Sequence, residues 1–252
     1  MEELYRATGL PKPTIMRLLG TLVAAGLVTK ASRGLGYQVT SDVLALSAGY
    51  HGGPLVAEAG RPWAVDLTRR LRWPAAIAVL DGARMAISVS TIADSAVSPF
   101  HSSVGSHLSL VTRALGRAYL AWCPDTERRI LLRMLSASAD PEDCPPNLER
   151  VLRGIVGAVR QQGYAQRDPK VEPRSSDTVA VPILQGGMVA GTIGLSYFRS
   201  AVNHRVLTEE LVPALKEASR EIGASMERLQ RGGGSVADAP GPRRTAIAPA
   251  PP

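Results

Sequence analysis

Lys12, Thr14, Arg17 and Thr21 follow one another at intervals of two, three and four residues in "PKPTIMRLLGTLVAAG". On a helix they fall off the apolar stripe, where cations and hydroxyls can donate to phosphate oxygens and to base edges in a duplex groove. Downstream, "TKASRGLGYQ" supplies Arg33 and Tyr37, a guanidinium and a phenol able to touch a DNA backbone or minor groove. A solvated helix face shows the same pattern, so these residues alone leave DNA contact and plain exposure both open. Elsewhere the chemistry is sparse. Cys123 and Cys144 form no CxxC pair, and His101 and His107 lack Cys or carboxylate partners at ligand spacing, so structural roles fit them better than a metal or a nucleophile. Without GxSxG, HExxH, a P-loop or GxGxxG at a strand-to-helix junction, the chain offers no enzyme signature.

Several elements must position these side chains. Residues 2 to 8 read as a short helix stopped by Gly9, and a second helix runs from Lys12 to Ala25. Its Ile15, Leu18, Leu19 and Leu22 recur at i, i+3, i+4 and i+7 as one stripe facing a core. Pro11 and Pro13 are tolerated there because first-turn amides have no intrahelical partners. Gly26 ends that helix, and "LVTKASRGLGYQVT" reads as a hairpin with a basic tip. Helix, sharp turn, helix and basic hairpin is the order of a winged helix-turn-helix.

Composition allows a soluble protein of one or two domains: 252 residues, 45% hydrophobic and 20% charged. Every apolar run is interrupted before membrane length, and Met1-Glu2-Glu3 is no signal-peptide start, so a cytoplasmic location is expected, with no membrane partner. The net charge of +7 would suit a polyanion, yet residues 1 to 50 hold five Lys/Arg against three Asp/Glu. Most of the positive excess therefore lies outside the helix-turn-helix.

Residues 42 to 73 read as linker helices broken by Gly52-Gly53-Pro54 and Pro62, with Trp63, Leu67 and Leu71 as a stripe for another helix or a second subunit. The next domain spans residues 74 to 230. "AAIAVLDGARMAISVSTI" is a hairpin around Asp81-Gly82. "TRALGRAYLAWC" and "DTERRILLRML" are helical, the latter with Asp125 as its expected N-cap, and Tyr119 and Trp122 read as core. A helix near 147 to 162 ends at Gly163. "DTVAVPIL" and "MVAGTIGLSYF" form a second, largely buried hairpin across Gln185-Gly186-Gly187, and residues 208 to 229 form a last amphipathic helix. Strands, then helices, then strands predict an α+β domain with an antiparallel sheet. The Gly- and Pro-rich residues 231 to 252 are expected to be disordered.

These residues resemble the IclR-type bacterial transcription regulators. "ATGLPKPTIMRLLGTLVAAGLV" resembles that family's helix-turn-helix, and "LGRAYLAW", "QQGYAQRD", "VAVPI" and "VAGTIGLS" follow in the family's order, from residue 2 to about 229. "FHSSVGSHLSLVTRALGRAYLAWCP" and "LSYFRSAV" are most similar to activators of hydroxyphenylpropionate and related aromatic-acid catabolism. The resemblance implies a winged helix-turn-helix in residues 1 to 41, a dimerising linker, and a GAF-like effector domain. It implies homodimers or homotetramers on a double-stranded DNA operator. RNA polymerase is expected as a further partner, and no metal or cofactor is expected. Family members carry another helix before the segment matching Glu2, so the first helix of the winged domain is expected to be missing here. A small-molecule sensor with impaired DNA binding is the alternative.

The resemblance also places an effector cavity between the sheet and the helix starting near Thr112. It would be lined by Leu108, Ala114, Leu115, Gly116, Arg167, Thr178, Gly194 and Ser196. Small residues leave volume, and hydroxyls and amides orient a ligand. Where the family often has an acidic or polar residue, Arg167 offers a guanidinium able to take a carboxylate, so a small organic, aromatic acid is the expected effector. Whether Arg167 instead points to solvent beside Asp168 stays open at this level.

Overall fold

A computed structural model describes residues 2–31, 36–43, 55–95, 97–98 and 104–232. The chain divides into two compact units, residues 1–53 and 54–252. Arg33, the hairpin tip, His101, the first part of the linker and nearly all of the tail fall outside the described residues.

In the first unit α1 (Glu2–Thr8) ends at Gly9, whose φ of +66° costs a glycine nothing. Then α2 (Lys12–Ala24) starts behind Pro11. Its end is a Schellman turn: Gly26, at φ +74°, donates to the Val23 carbonyl and Leu27 donates back to Leu22. Strands β1 (Val28–Lys30) and β2 (Tyr37–Val39) pair antiparallel, with Thr29 opposite Gln38. The buried stripe of α2 is narrower than expected. Ile15 and Leu19 are buried, with Val23 half-buried one turn further, whereas Leu18 and Leu22 remain 49% and 38% exposed. A stripe at i, i+4 and i+8 is all that one short helix and a two-stranded ribbon cover.

The second unit opens with α3 (Leu55–Leu71), which runs through Pro62 without a break. Proline here deletes one intrahelical hydrogen bond, a cost of about 3 kcal/mol in an isolated helix. Packing offsets it: Val56, Ala59, Ala64 and Leu67 are buried against the sheet, and Gly60 sits so close that an added Cβ would meet Ile77 Cδ1 at 2.3 Å. Trp63, Leu67 and Leu71 pack within this unit's own core. The predicted linker stripe is therefore used inside the unit.

Six antiparallel strands follow in the order β5-β4-β3-β8-β7-β6. The hairpins are β3 (Ala75–Asp81) with β4 (Arg84–Ser90), turning at Gly82, and β7 (Ser176–Gln185) with β8 (Met188–Phe198), turning at Gly186 and Gly187. Short edge strands β5 (His107–Ser109) and β6 (Ala165–Gln166) complete the sheet. The hairpins meet through β3 and β8, with Ala76 opposite Gly194 and Ile77 opposite Ile193.

Helices cover both faces. On one lie α3 and α8 (Val212–Gly232), the latter reached through α7 (His204–Val206) and a π-turn at Leu207–Leu211. On the other lie α4 (Ala114–Trp122), α5 (Asp125–Ser136) and α6 (Leu148–Gln162). Asp125 is the first residue of α5 rather than its cap: Pro124 holds the cap position, and the Asp125 carboxylate pairs with Arg128 at 2.6 Å. Tyr119 is buried, its hydroxyl donating to Glu127 at 2.6 Å.

Candidate functional site

The sheet's two faces differ in side-chain size. Along β7, β8 and β3 the residues turned to α3 and α8 are large: Val179, Val181, Ile193, Leu195, Ile77. Their alternates, turned to α4, are Thr178, Ala180, Gly194, Ser196, Ala76 and Ala78. Strand alternation places these small residues side by side over three adjacent strands, so α4 cannot meet the sheet over its whole length. Near its N-terminus a cavity of about 570 Å³ remains, open mouth included.

Pro74, Ala75, Ala76, Ile87, Ile92, Leu108, Ala114 and Leu115 line it with apolar surface, and Ser90, Ser98, Thr178 and Ser196 supply hydroxyls. Thr178 and Ser196 face each other across the β7–β8 register, hydroxyl to hydroxyl at 3.0 Å. The far wall is anchored: Thr68 and Thr91 share a 2.6 Å hydrogen bond, and the Ala75 amide donates to Thr91 Oγ1 at 2.8 Å. Two cations complete the lining, Arg113 just before α4 and Arg167 after β6.

Arg167 does not pair with Asp168, which is held by Arg117 at 2.7 Å. Its guanidinium is buried, donating through Nη2 to the carbonyls of Pro173 and Ser176. Burial, more than the opposing pull of Asp177, draws its pKa below the usual arginine range. A cation held under that desolvation gains from an arriving anion. Arg113 sits in a two-point pair with Glu142, Nη2 to Oε1 at 2.9 Å and Nε to Oε2 at 3.3 Å.

Of the positions expected to line the cavity, Leu108, Ala114, Leu115, Arg167, Thr178 and Ser196 do so. Gly116 and Gly194 stand behind the wall. A Cβ on Gly116 would meet the Ser109 carbonyl at 2.4 Å, and one on Gly194 the Val179 carbonyl at 2.8 Å. These glycines let α4 approach β5 and the sheet. Sequence reasoning missed Arg113, Ser90, Ser98, Ile87, Ile92 and the Pro74–Ala76 corner. The alternation of small with branched residues in "VAVPI" and "GTIGLS" was a signal for the floor, but nothing local marks Arg113. His107 lies away from the cavity on edge strand β5, with Nε2 2.7 Å from Asp81 Oδ2. Among the described residues no group of three or more His, Cys, Asp or Glu could hold a metal ion.

In the first unit Arg17 and Thr21 lie on the exposed side of α2, opposite Ile15 and Leu19, and Thr21 Oγ1 donates back to the Arg17 carbonyl at 3.1 Å. Thr14 is half-buried on the flank of that side. Lys12 points elsewhere: its ammonium pairs with Glu2 at 2.7 Å and stands 6.0 Å from the Tyr5 ring centre, which ties α2 to α1. Tyr37 is half-buried at the start of β2.

A helix-turn-helix with a two-stranded ribbon, joined to a helix-covered antiparallel sheet that encloses a cavity, defines the class of ligand-sensing transcription factors. Residues 52–224 match the C-terminal domain of IclR bacterial transcriptional regulators, and residues 1–32 match the IclR helix-turn-helix domain. The chain belongs to the IclR family of bacterial transcriptional regulators, DNA-binding proteins with a C-terminal effector domain. It is 26% identical over 228 residues to the Pca regulon regulatory protein of Pseudomonas putida, covering 87% of this chain and 75% of that protein. With the transcriptional regulator XynR of Escherichia coli K12 it shares 24% identity over 225 residues, 88% of each. Among solved structures, Thermotoga maritima IclR superposes with a TM-score of 0.66 at 19% identity, over 89% of this chain and 90% of that one. An IclR homologue from Microbacterium hydrocarbonoxydans, solved with 4-hydroxybenzoate, gives 0.64 at 18% identity over 90% of both.

Proposed function

We propose that this protein is a ligand-responsive regulator of a catabolic operon, with a small organic acid, an aromatic one, as its effector. One observation carries this reading: an apolar cavity with hydroxyl-bearing residues on its floor and two arginines, Arg113 and Arg167, in its wall. A ring would bury on Ile87, Ile92, Leu108 and Leu115 while a carboxylate reached the cations. The Pca regulon regulatory protein and the 4-hydroxybenzoate-bound homologue support the same ligand class. Arg17, Thr14 and Thr21 would contact the operator from α2, with Tyr37 on the ribbon and Arg33 from the sequence between its strands, while Lys12 serves α1. As a cytoplasmic homodimer or homotetramer, the protein would respond by population shift. An effector changes the spacing of two recognition helices, and so operator affinity or polymerase contact, only as far as it binds one arrangement better than the other.

The decisive experiment is calorimetric titration with 4-hydroxybenzoate and with 4-hydroxybenzamide, its neutral counterpart. Arg167→Leu should weaken the acid about tenfold or more and leave the amide unaffected. Equal affinity of wild type and variant for the acid would refute the cavity's role. For the other unit, Arg17→Ala should lose about 1–3 kcal/mol of binding to the DNA upstream of the protein's own gene.

A further inference from the structure

Residues 137–147, between α5 and α6, are tied to the cavity wall through Glu142. Its carboxylate accepts from Arg113 Nη2 at 2.9 and 3.2 Å, from Arg113 Nε at 3.3 Å and from Thr112 Oγ1 at 3.0 Å. Its backbone carbonyl accepts from Ser109 Oγ at 3.0 Å. Arg84 anchors the segment from the far side, holding Asp143 at 2.9 Å and also Asp140. Arg113 thus has two faces. It lines the effector cavity, and it is neutralised by a carboxylate that belongs to the protein.

We infer that Glu142 is an internal competitor of the effector: a ligand carboxylate arriving on Arg113 displaces the Glu142 carboxylate and loosens the 137–147 segment, leaving Ser109 as its remaining tie at Glu142. This rests on reading the cavity as an organic-acid site. A single guanidinium neutralises one carboxylate, and two at close range in a partly enclosed site repel each other. Glu142 is the one able to leave. Its side chain is 38% exposed, so water replaces Arg113 at little desolvation cost, whereas a ligand in the cavity has Arg167 and the floor hydroxyls to hold it. Ion pairs as exposed as Arg113–Glu142 contribute a factor of about five at most to an equilibrium, which a ligand with these additional contacts exceeds. Arg84 keeps Asp143, buried on the other flank, in place, so the release is local. A cavity event thereby reaches the connection between α5 and α6.

The test uses the full chain in three forms, wild type, Glu142→Gln and Thr112→Val, titrated with 4-hydroxybenzoate and 4-hydroxybenzamide at one pH and salt concentration. Hydrogen–deuterium exchange of residues 137–147 is followed with and without the acid. Glu142→Gln should bind the acid about fivefold tighter, Thr112→Val about twofold tighter, and neither should change amide binding. In the wild type the acid should speed exchange in the segment; in Glu142→Gln exchange should already be fast. A through-space charge effect would tighten acid binding without that acceleration, so its absence overturns the inference, as does unchanged or weaker acid binding by a variant that melts like the wild type. Should Glu142→Gln fail to fold, Thr112→Val decides by the same criteria. A wild type that does not prefer acid over amide brings down the organic-acid reading and the competition with it. A preference that Glu142→Gln leaves untouched brings down the competition alone.

Discussion

The same strands build two unlike faces of one sheet. Toward α3 and α8 the alternate residues are branched or aromatic, and Ile77, Ile183, Ile193 and Leu195 are sealed from solvent. Toward α4 the alternates on the central strands shrink to Ala76, Ala78 and Ala180, with hydroxyls at Thr178 and Ser196. A close-packed protein thus keeps a cavity open by assigning stability to one face and volume to the other. The void is local. Past the first turn of α4 the packing closes, with Ala118, Leu120 and Ala121 fully buried and Cys123 nearly so.

The contrast can be broken first on its packed side. Ile193→Ala removes a sealed side chain from a face with no slack and should cost about 3 kcal/mol of unfolding free energy in a denaturant titration. Ala76→Leu on the opposite face adds as many carbon atoms as Ile193→Ala removes, but it fills existing space. Its expected stability change is under about 1.5 kcal/mol, alongside a loss of 4-hydroxybenzoate affinity of about tenfold. A stability loss as large as that of Ile193→Ala would mean that both faces are equally tight. The smallest effect maps where the open end stops. Burial pushes the Cys123 thiol up to about 11, while Cys144 is partly exposed. At pH 8 a thiol reagent should therefore label Cys144 and leave Cys123 intact until the protein unfolds, as read by mass spectrometry.

The two units also differ in how far their sequences expose their structure. In the first, Gly9, Pro11 and Gly26 delimit α2 by backbone constraints that act within a few residues, and the bounds follow directly. The buried stripe of α2 is narrower than its periodicity because periodicity reports which residues are apolar, whereas burial of Leu18 and Leu22 depends on what else is present to cover them. Lys12 shares its charge with Arg17, yet its partner is Glu2 on the preceding helix. In the second unit Gly82, Gly163 and the Gly186-Gly187 turn mark ends in the same local way. Six cavity positions followed from the family resemblance, and two glycines that resemblance also named prove to serve close helix approach.

Local backbone chemistry in the sequence determined the helices, both long hairpins and the alternation of small with branched residues. Which hairpins adjoin through β3 and β8, how α3 tolerates Pro62, and that Arg113 stands between the cavity and Glu142 were decided by the tertiary structure. The reason is physical: turns and caps are set by neighbours along the chain, whereas strand order, helix docking and the company of a charge depend on free energy shared among residues far apart in it.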